Sequence, residues 1–230
     1  MAVALRRRDI DVDIVELQPQ WNILGVGISL TGPTLRALKA VGVIDRCAQA
    51  GFGFDRIILH DAAARYIGTI NMPRLSGPEY PATVAIGRPA LHDILVDTAQ
   101  QLGASITLGT TVSSLRQKSD AVDVELTNGQ RASFDFIVGC DGIHSVVRDL
   151  TFDHVPHAKF TGLAVWRATM PRPSEVDCML MYYGSKVKAG VNPHSRDEMF
   201  VFVVEPITEG GRIPPEKAHL LLREKLDEFG

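Results

Sequence analysis

The chain has 230 residues, of which 45% are hydrophobic and 22% charged, as in an ordinary soluble globular protein. Its net charge of -3 argues against a nucleic-acid or anionic-membrane partner, and no apolar run approaches the roughly 18 residues of a membrane span. Cys47, Cys140 and Cys178 follow no metal or redox spacing. These features predict a reduced, cytoplasmic protein.

A predicted helix end and a predicted strand open the chain. Residues 1–8 suit the last turns of a helix, because the basic residues at 6–8 meet the negative end of its dipole. Alternating apolar residues over 11–17 then predict a strand with Glu16 at its end. Because parallel strands are joined by crossover helices, a helix that leads into a strand implies an earlier strand. We therefore expect the chain to begin inside a βαβ unit.

A glycine-rich segment follows at 25–43, with the sequence GVGISLTGPTLRALKAVGV. Its glycines lack the G-x-G-x-x-G spacing of the dinucleotide fingerprint, because Leu30 stands in the place of the third glycine. The segment around Gly25 and Gly27 is either a loop that brings the backbone close to a ligand or a merely flexible loop. Thr31 is expected to cap a helix that Gly42 ends.

An arginine begins the most regular predicted helix, GRPALHDILVDTAQQLG, which Gly103 ends. Arg88 stands where the helix dipole disfavours a cation. An anionic ligand would account for that position, and a solvated arginine is the alternative. Strands are predicted before this helix, at 54–60, 65–72 and 82–87.

The stretch 135–148, DFIVGCDGIHSVVR, is a predicted strand, turn and helix. The apolar run at 134–138 predicts a strand buried on both faces of a parallel sheet. Asp141 and Gly142 then predict a turn, with Asp141 capping a helix that begins at Ile143. Such a junction is either an ordinary helix cap or the site of an anionic ligand.

Further strands are predicted on both sides of that stretch. Before it they lie at 105–108, 112–117, 122–127 and 131–134, with a hairpin turn at Asn128-Gly129. After it they lie at 158–170, 177–183, 186–191 and 199–205, and an amphipathic helix covers 214–229. The predicted fold class is α/β: a Rossmann-like parallel sheet with a β-hairpin insertion, plus a mainly antiparallel β domain.

The sequence contains no candidate catalytic or metal-binding motif. The sequence has no P-loop, H-E-x-x-H or G-x-S-x-G motif. His154-x-x-His157 is interpreted as a pair of loop histidines, because no third ligand lies nearby. We predict neither a catalytic side chain nor a metal site.

Four segments together resemble a known family: 12–17, 25–45, 87–95 and 135–149. They look like the FAD-dependent aromatic hydroxylases, single-component flavoprotein monooxygenases with a p-hydroxybenzoate-hydroxylase-like fold. The resemblance implies an FAD-binding domain at 1–53 and 82–152 and a substrate-binding domain at 54–81 and 153–230. The first strand with its G-x-G-x-x-G turn, and the later G-D motif that follows the substrate domain in this family, are expected to be missing, and both would contact FAD. The chain alone is therefore expected to bind FAD weakly or not at all.

The resemblance also implies roles for individual residues in cofactor binding. Glu16 would accept hydrogen bonds from the adenosine ribose, and Arg88 would contact FAD near its pyrophosphate. Val112 would lie near the adenine through its backbone. Asp141 and Gly142 match the family's D-G motif, which is associated with FAD and NAD(P)H.

Two further expectations concern the flavin and the substrate. Gly27 would lie along the flavin, and strands around 54–72 and 160–205 would form the floor of an aromatic-substrate pocket. In this family NADH or NADPH reduces the flavin, which then forms a C4a-hydroperoxide with oxygen and hydroxylates the ring. The implied partners are a small aromatic substrate and oxygen, with a homodimer left open. A related FAD-dependent epoxidase or reductase, or a catalytically inactive binding module of this fold, are the alternatives.

Overall fold

The computed structural model describes residues 1–23, 26–155, 158–208, 213–227 and 229. The helices are α1 (Ala2–Arg6), α2 (Gly32–Ala40), α3 (Ile44–Ala50), α4 (Arg88–Gln101), α5 (Val146–Thr151) and α6 (Pro215–Leu226). The strands are β1 (Asp13–Glu16), β2 (Gly27–Thr31), β3 (Phe52–Phe54), β4 (Arg56–Asp61), β5 (Tyr66–Asn71), β6 (Thr83–Gly87), β7 (Ser105–Leu108), β8 (Val112–Gln117), β9 (Val122–Leu126), β10 (Arg131–Phe134), β11 (Leu163–Pro171), β12 (Met179–Tyr183), β13 (Lys188–Pro193) and β14 (Glu198–Pro206). No helix in these ranges is long and apolar enough to cross a membrane.

The chain forms two compact units, each made of two separate segments. Unit 1 contains residues 1–22 and 99–160, and unit 2 contains residues 23–98 and 161–230. The domains predicted above are functional divisions with other boundaries, and they stay a prediction.

Unit 1 contains a parallel pair of strands and an antiparallel sheet. β1 pairs with β7 in parallel, from Asp13 opposite Ser105 to Glu16 opposite Leu108. β8, β9 and β10 form the antiparallel sheet, in which the predicted Asn128-Gly129 turn joins the last two strands. The parallel strands and the hairpin insertion of the predicted fold class are therefore both present.

One predicted element of unit 1 is wrong. The apolar run at 134–138 does not continue as a strand beyond Phe134, the last residue of β10, and residues 135–138 pair with no described strand. Phe136 is 51% exposed and Val138 is 44% exposed, whereas a strand inside a parallel sheet would bury both. Strand formation needs neighbouring strands on which to pair the backbone, and an apolar run alone cannot supply them.

Unit 2 contains a three-stranded sheet that packs against the helices α2, α3 and α4. β6 lies between β2 and β3, and both pairs are antiparallel. Side chains from this sheet and from α2, α3 and α4 form one buried cluster, which includes Leu30, Leu35, Ile44 and Ile86. The sequence prediction missed β2, which it treated as a loop, and α3, whose seven residues bury only Ile44 and Cys47. Thr31 occupies the N-cap position of α2, but its side chain makes no capping hydrogen bond.

The second sheet of unit 2 has six strands in the order β11-β14-β13-β12-β4-β5. Only the β12–β4 pair among them is parallel, so the predicted mainly antiparallel sheet is confirmed. Leu222 of α6 packs in a buried cluster with Ala189, Val201 and Val203, on one face of this sheet. Because side chains alternate along a strand, Asn192 and Phe200 belong to the opposite face.

A polar contact also attaches α6 to this sheet. The Glu205 carboxylate accepts hydrogen bonds from Trp166 Nε1 at 2.6 Å and from Lys225 Nζ at 2.7 Å. The Lys225 ammonium also lies 5.1 Å from the centre of the Trp166 ring. The Glu205 side chain is only 13% exposed, so little water competes for these hydrogen bonds.

Candidate functional site

A groove in unit 1 brings together three of the predicted cofactor residues. It has a volume of about 970 Å³ and is lined by α1, by β1 with the segment after it, and by the stretch 134–147. We call it the unit 1 groove. Glu16, Val112 and Asp141 all line it. Its volume lies in the range of small-molecule and cofactor sites.

Glu16 presents a carboxylate at the carboxyl end of β1. One carboxylate oxygen accepts a hydrogen bond of 2.8 Å from the Gln18 backbone N–H, which orients the side chain. The other oxygen has no hydrogen-bond partner among the described residues. A half-buried carboxylate with a free oxygen at the end of a parallel strand is suited to accept hydrogen bonds from hydroxyl groups.

Asp141 is part of the structure that begins α5. The helix starts at Val146 and Ser145 is its N-cap, so the prediction of a helix that begins at Ile143 with Asp141 as its cap is corrected. Asp141 Oδ2 nevertheless accepts a hydrogen bond of 3.0 Å from the Val147 N–H, and its Oδ1 accepts another from the Ser145 hydroxyl. Asp141 thus supports the cap from four residues before it, which the sequence pattern located only approximately.

The charge state of Asp141 follows from those contacts. Partial burial raises the pKa of its carboxyl, but hydrogen bonds from the Ser145 hydroxyl and from backbone N–H groups outweigh it, and the pKa lies below its ordinary value. Asp141 is therefore a carboxylate at neutral pH. Gly142 follows with a φ of 82°, a left-handed conformation that favours glycine, and it does not line the groove.

Arg88 is the first residue of α4 in unit 2. It is half-buried, and its Nε atom is buried without a hydrogen-bond partner among the described residues. A cation with a buried, unpaired N–H at the positive end of a helix dipole is unfavourable in the free protein. This arrangement fits a site for an anionic group such as a phosphate.

Gly27 is the buried first residue of β2, where it pairs with Gly87. A Cβ atom at this position would lie 2.7 Å from ring atoms of Phe200 and 3.1 Å from the Cβ of His194. Close packing of these side chains therefore requires a glycine here. Gly25, the neighbouring glycine of the predicted loop, lies outside the described residues.

The sequence prediction missed two buried polar residues in unit 2. Asn192 is fully buried, and His194 is 6% exposed. Asn192 Oδ1 and His194 Nε2 are buried and lack a hydrogen-bond partner among the described residues. An Asn-Pro-His segment after a strand is typical of an exposed turn, so its composition gave no signal of burial.

The described residues contain no group of three or more His, Cys, Asp or Glu side chains placed to hold a metal ion. His157 of the His154-x-x-His157 pair lies outside the described residues, so that interpretation stays a prediction.

Comparison with known families and proteins shows where this architecture occurs. The family described as FAD binding domain matches residues 1–228. The aurachin C monooxygenase/isomerase of Stigmatella aurantiaca is 27% identical over 226 residues, which are 97% of this chain and 58% of the relative. The 3-amino-4-hydroxybenzoate 2-monooxygenase of Streptomyces cremeus is 30% identical over 176 residues, which are 74% of this chain and 43% of the relative. The chain thus spans about half the length of these curated relatives.

Solved structures share the fold. Klebsiella pneumoniae HpxO complexed with FAD and uric acid aligns with a TM-score of 0.86 and 19% identity, covering 100% of this chain and 59% of HpxO. The 2-methyl-3-hydroxypyridine-5-carboxylic acid oxygenase, in the C294A mutant, aligns with a TM-score of 0.76 and 21% identity, covering 99% of this chain and 61% of the oxygenase. The predicted fold class is confirmed by these alignments.

Proposed function

Since the chain belongs to the FAD binding domain family, we propose that it serves an FAD-dependent monooxygenase. The enzyme would hydroxylate an aromatic or phenolic small molecule, with oxygen and NADH or NADPH as co-substrates. The relatives named above are monooxygenases, and one is named for an aminohydroxybenzoate. Their names favour this reaction over that of an epoxidase or a reductase, and over an inactive binding module.

The unit 1 groove is the observation that carries the proposal, and its side chains fit the adenosine part of FAD. Glu16 would accept hydrogen bonds from the ribose hydroxyls through its free carboxylate oxygen. Val112, which lines the groove, would lie near the adenine through its backbone. Asp141 and Gly142 would hold the beginning of α5 in the shape that borders the cofactor.

In unit 2, the unpaired Arg88 Nε fits an anion and would donate a charge-assisted hydrogen bond to the pyrophosphate. Gly27 would allow the backbone of β2 to approach the flavin. When bound, FAD supplies the redox chemistry that passes electrons from the nicotinamide co-substrate to oxygen. The contribution of the protein is to bind, orient and shield the reacting groups, which is consistent with the lack of a predicted catalytic side chain.

Two further parts of the proposal concern location and assembly. We propose that the protein acts in the cytoplasm, in keeping with its composition. A homodimer is compatible with the family, although the related 2-methyl-3-hydroxypyridine-5-carboxylic acid oxygenase is described in a tetrameric form. Sedimentation velocity of the purified chain would measure the assembly.

Protection of Cys140 tests FAD binding in the groove without any need for turnover. Cys140 is exposed and lines the unit 1 groove, whereas Cys47 and Cys178 are buried and desolvation raises the pKa of both thiols. Iodoacetamide should therefore label Cys140 first, and added FAD should slow that labelling. Glu16→Gln should reduce the protection, whereas Asp120→Asn, on an exposed residue that does not line the groove, should leave it unchanged. Because the chain alone is expected to bind FAD weakly, millimolar FAD is used, and equal protection of Cys140 in Glu16→Gln and in the unmodified chain would contradict the proposed site.

The reaction is tested separately. NADH or NADPH oxidation that depends on oxygen and FAD and rises on addition of a phenol, with one atom of ¹⁸O₂ found in the product, would support the proposed reaction. Nicotinamide oxidation that no aromatic compound stimulates would favour a different FAD-dependent reaction.

A further inference from the structure

A cluster of buried polar groups in unit 2 has hydrogen-bonding capacity that the described residues do not satisfy. It consists of Ser29, Asn192 and His194, and we call it the amide–imidazole cluster. Asn192 Nδ2 donates a hydrogen bond of 2.7 Å to Ser29 Oγ, between residues that are 163 positions apart. Asn192 Oδ1 and His194 Nε2 are buried and unpaired. A buried polar atom without a partner is unfavourable, because it has lost its hydrogen bonds to water and gained none in exchange.

Aromatic and glycine residues surround this cluster. The His194 and Phe200 rings lie 6.0 Å apart between centroids, and Asn192 is directly opposite Phe200 in the β13–β14 pair. Gly27 lies against both His194 and Phe200, while a Cβ on Gly87 would be 3.9 Å from His194 Nδ1. Phe200 and His194 fill the space beside Gly27, so the unpaired polar atoms lie in aromatic surroundings. An aromatic ring that bears a polar substituent would pack against Phe200 there.

The kind of substituent follows from the chemistry of the two side chains. If the Asn192 amide were turned over, the Ser29 hydroxyl could donate to Oδ1, and the NH₂ group would then be unpaired. One amide atom is thus left over in either orientation. A hydroxyl both donates and accepts, so it can pair with either amide atom and with either tautomer of an imidazole. A carboxylate only accepts, and it would also lose its hydration beside an amide that carries no charge.

We propose that Asn192 and His194 bind a neutral hydroxyl group on the aromatic substrate and so determine its specificity. This inference rests on the proposed function, because it takes an aromatic compound as the ligand. Sites built to hydrogen-bond a hydroxyl strongly reject analogues that lack it, since the buried partners are then left unpaired. The amide–imidazole cluster should accordingly select hydroxylated rings over rings with a methyl group at the same position.

Binding of matched aromatic probes to the 230-residue chain tests this selection. The probes are phenol, toluene and benzoate, together with 2-naphthol, 2-methylnaphthalene and 2-naphthoate, measured by calorimetry with and without FAD. The unmodified chain should bind at least one hydroxyl probe about tenfold or more tightly than its methyl and carboxylate counterparts. Because no nicotinamide co-substrate is present, the result does not depend on turnover. Failure of the proposed reaction would be seen instead in the oxygen-dependent assay.

Variants distinguish substrate recognition from a structural role. Asn192→Leu and His194→Phe should reduce the preference for the hydroxyl probe to less than about threefold, whereas His194→Gln, which keeps a hydrogen-bonding group, should retain part of it. Thr98→Val is the control, because it removes a buried hydroxyl that donates to the Ile94 carbonyl at 2.6 Å outside the cluster. Thr98→Val should keep the full preference.

The proposal is overturned by several results. These are equal binding of hydroxyl and methyl probes, binding of neither, tighter binding of the carboxylates, or an unchanged preference in Asn192→Leu and His194→Phe. Urea unfolding gives an independent reading. If buried water rather than a ligand satisfied Asn192, Asn192→Leu would be less stable and its probe preference unchanged, whereas the proposal expects equal or greater stability.

Discussion

Replacing Arg88 by methionine should stabilise the free protein and weaken its binding of FAD. Methionine keeps an unbranched apolar side chain but removes the charge and the buried Nε–H that lacks a partner among the described residues. A buried unpaired donor costs about 1–3 kcal/mol, and a cation at a helix N-terminus about 0.3–1 kcal/mol. Because Arg88 is only half-buried, the lower ends apply, and we expect a gain of about 1 kcal/mol in the free energy of unfolding.

The effect on FAD should have the opposite sign. A hydrogen bond from a charged group to the pyrophosphate contributes about 1.5–3 kcal/mol, so its loss should raise the dissociation constant about 10- to 100-fold. Urea unfolding followed by circular dichroism measures the first effect, and calorimetric titration with FAD measures the second. The unfolding measurement needs no cofactor, so it gives a result even if FAD binds weakly.

Arg46 provides the matched control in the same unit. Its guanidinium donates to Thr98 Oγ1 at 3.0 Å and to Asp97 Oδ2 at 3.3 Å. Arg46→Met should therefore lower the stability by about 1 kcal/mol and leave FAD binding unchanged. An Arg88→Met protein that is less stable than the unmodified chain and binds FAD equally well would refute the reasoning for Arg88.

Three further predictions concern the turn of the D-G motif, the attachment of α6 and the acid side of the stability profile. Gly142→Ala should cost about 1–2 kcal/mol, because an alanine is strained at a φ of 82°; thermal unfolding should show no comparable loss for Gly68→Ala, where φ is not positive and a Cβ meets no atom. Glu205→Ala should lower the free energy of unfolding in urea by about 2–3 kcal/mol. It should also change the fluorescence of Trp166, whose N–H loses its acceptor. An unchanged urea midpoint would contradict the role of Glu205 in attaching α6. A hydrogen bond from Arg74 is the main reason that the pKa of the Asp55 carboxyl is lowered in the folded protein. The charged carboxylate therefore contributes its full stabilisation above the unfolded-state pKa of about 3.9. That stabilisation is lost as the pH falls through the lower folded-state pKa. Between pH 2 and 6, the free energy of unfolding in urea should decline less steeply with falling pH in Asp55→Asn than in the unmodified chain. An unchanged slope would show that Asp55 does not contribute to the acid decline.

Local patterns predicted those elements that depend on local chemistry. The strand that ends at Glu16, the hairpin at Asn128-Gly129 and the helix that begins at Arg88 all form as expected. Their capping, turn and periodicity signals act within a few residues. The run at 134–138 failed as a strand because the pairing of a strand depends on distant segments, about which its own composition says nothing.

The residues of the candidate site were also predicted only in part. Glu16, Val112 and Asp141 were predicted as cofactor-binding residues through resemblance to a family, and they line one groove. Asn192 and His194 were not identified, because their burial depends on packing against β2 from a remote part of the chain. Polar residues in an apparent turn become exceptional only once their surroundings are known.

The division of each unit into two separate segments has a consequence for how the protein folds during synthesis. The chain passes between the units at residues 22–23, 98–99 and 160–161, so neither unit is complete until a later part of the polypeptide has been made. β4 finds its partner β12 only about 120 residues later, as the pairing of Ile58 with Leu180 illustrates. Loop closure over such distances slows folding and leaves apolar strands exposed on the ribosome. Expression at low temperature or with chaperones should therefore raise the soluble yield, and separate expression of residues 1–98 should give an insoluble product.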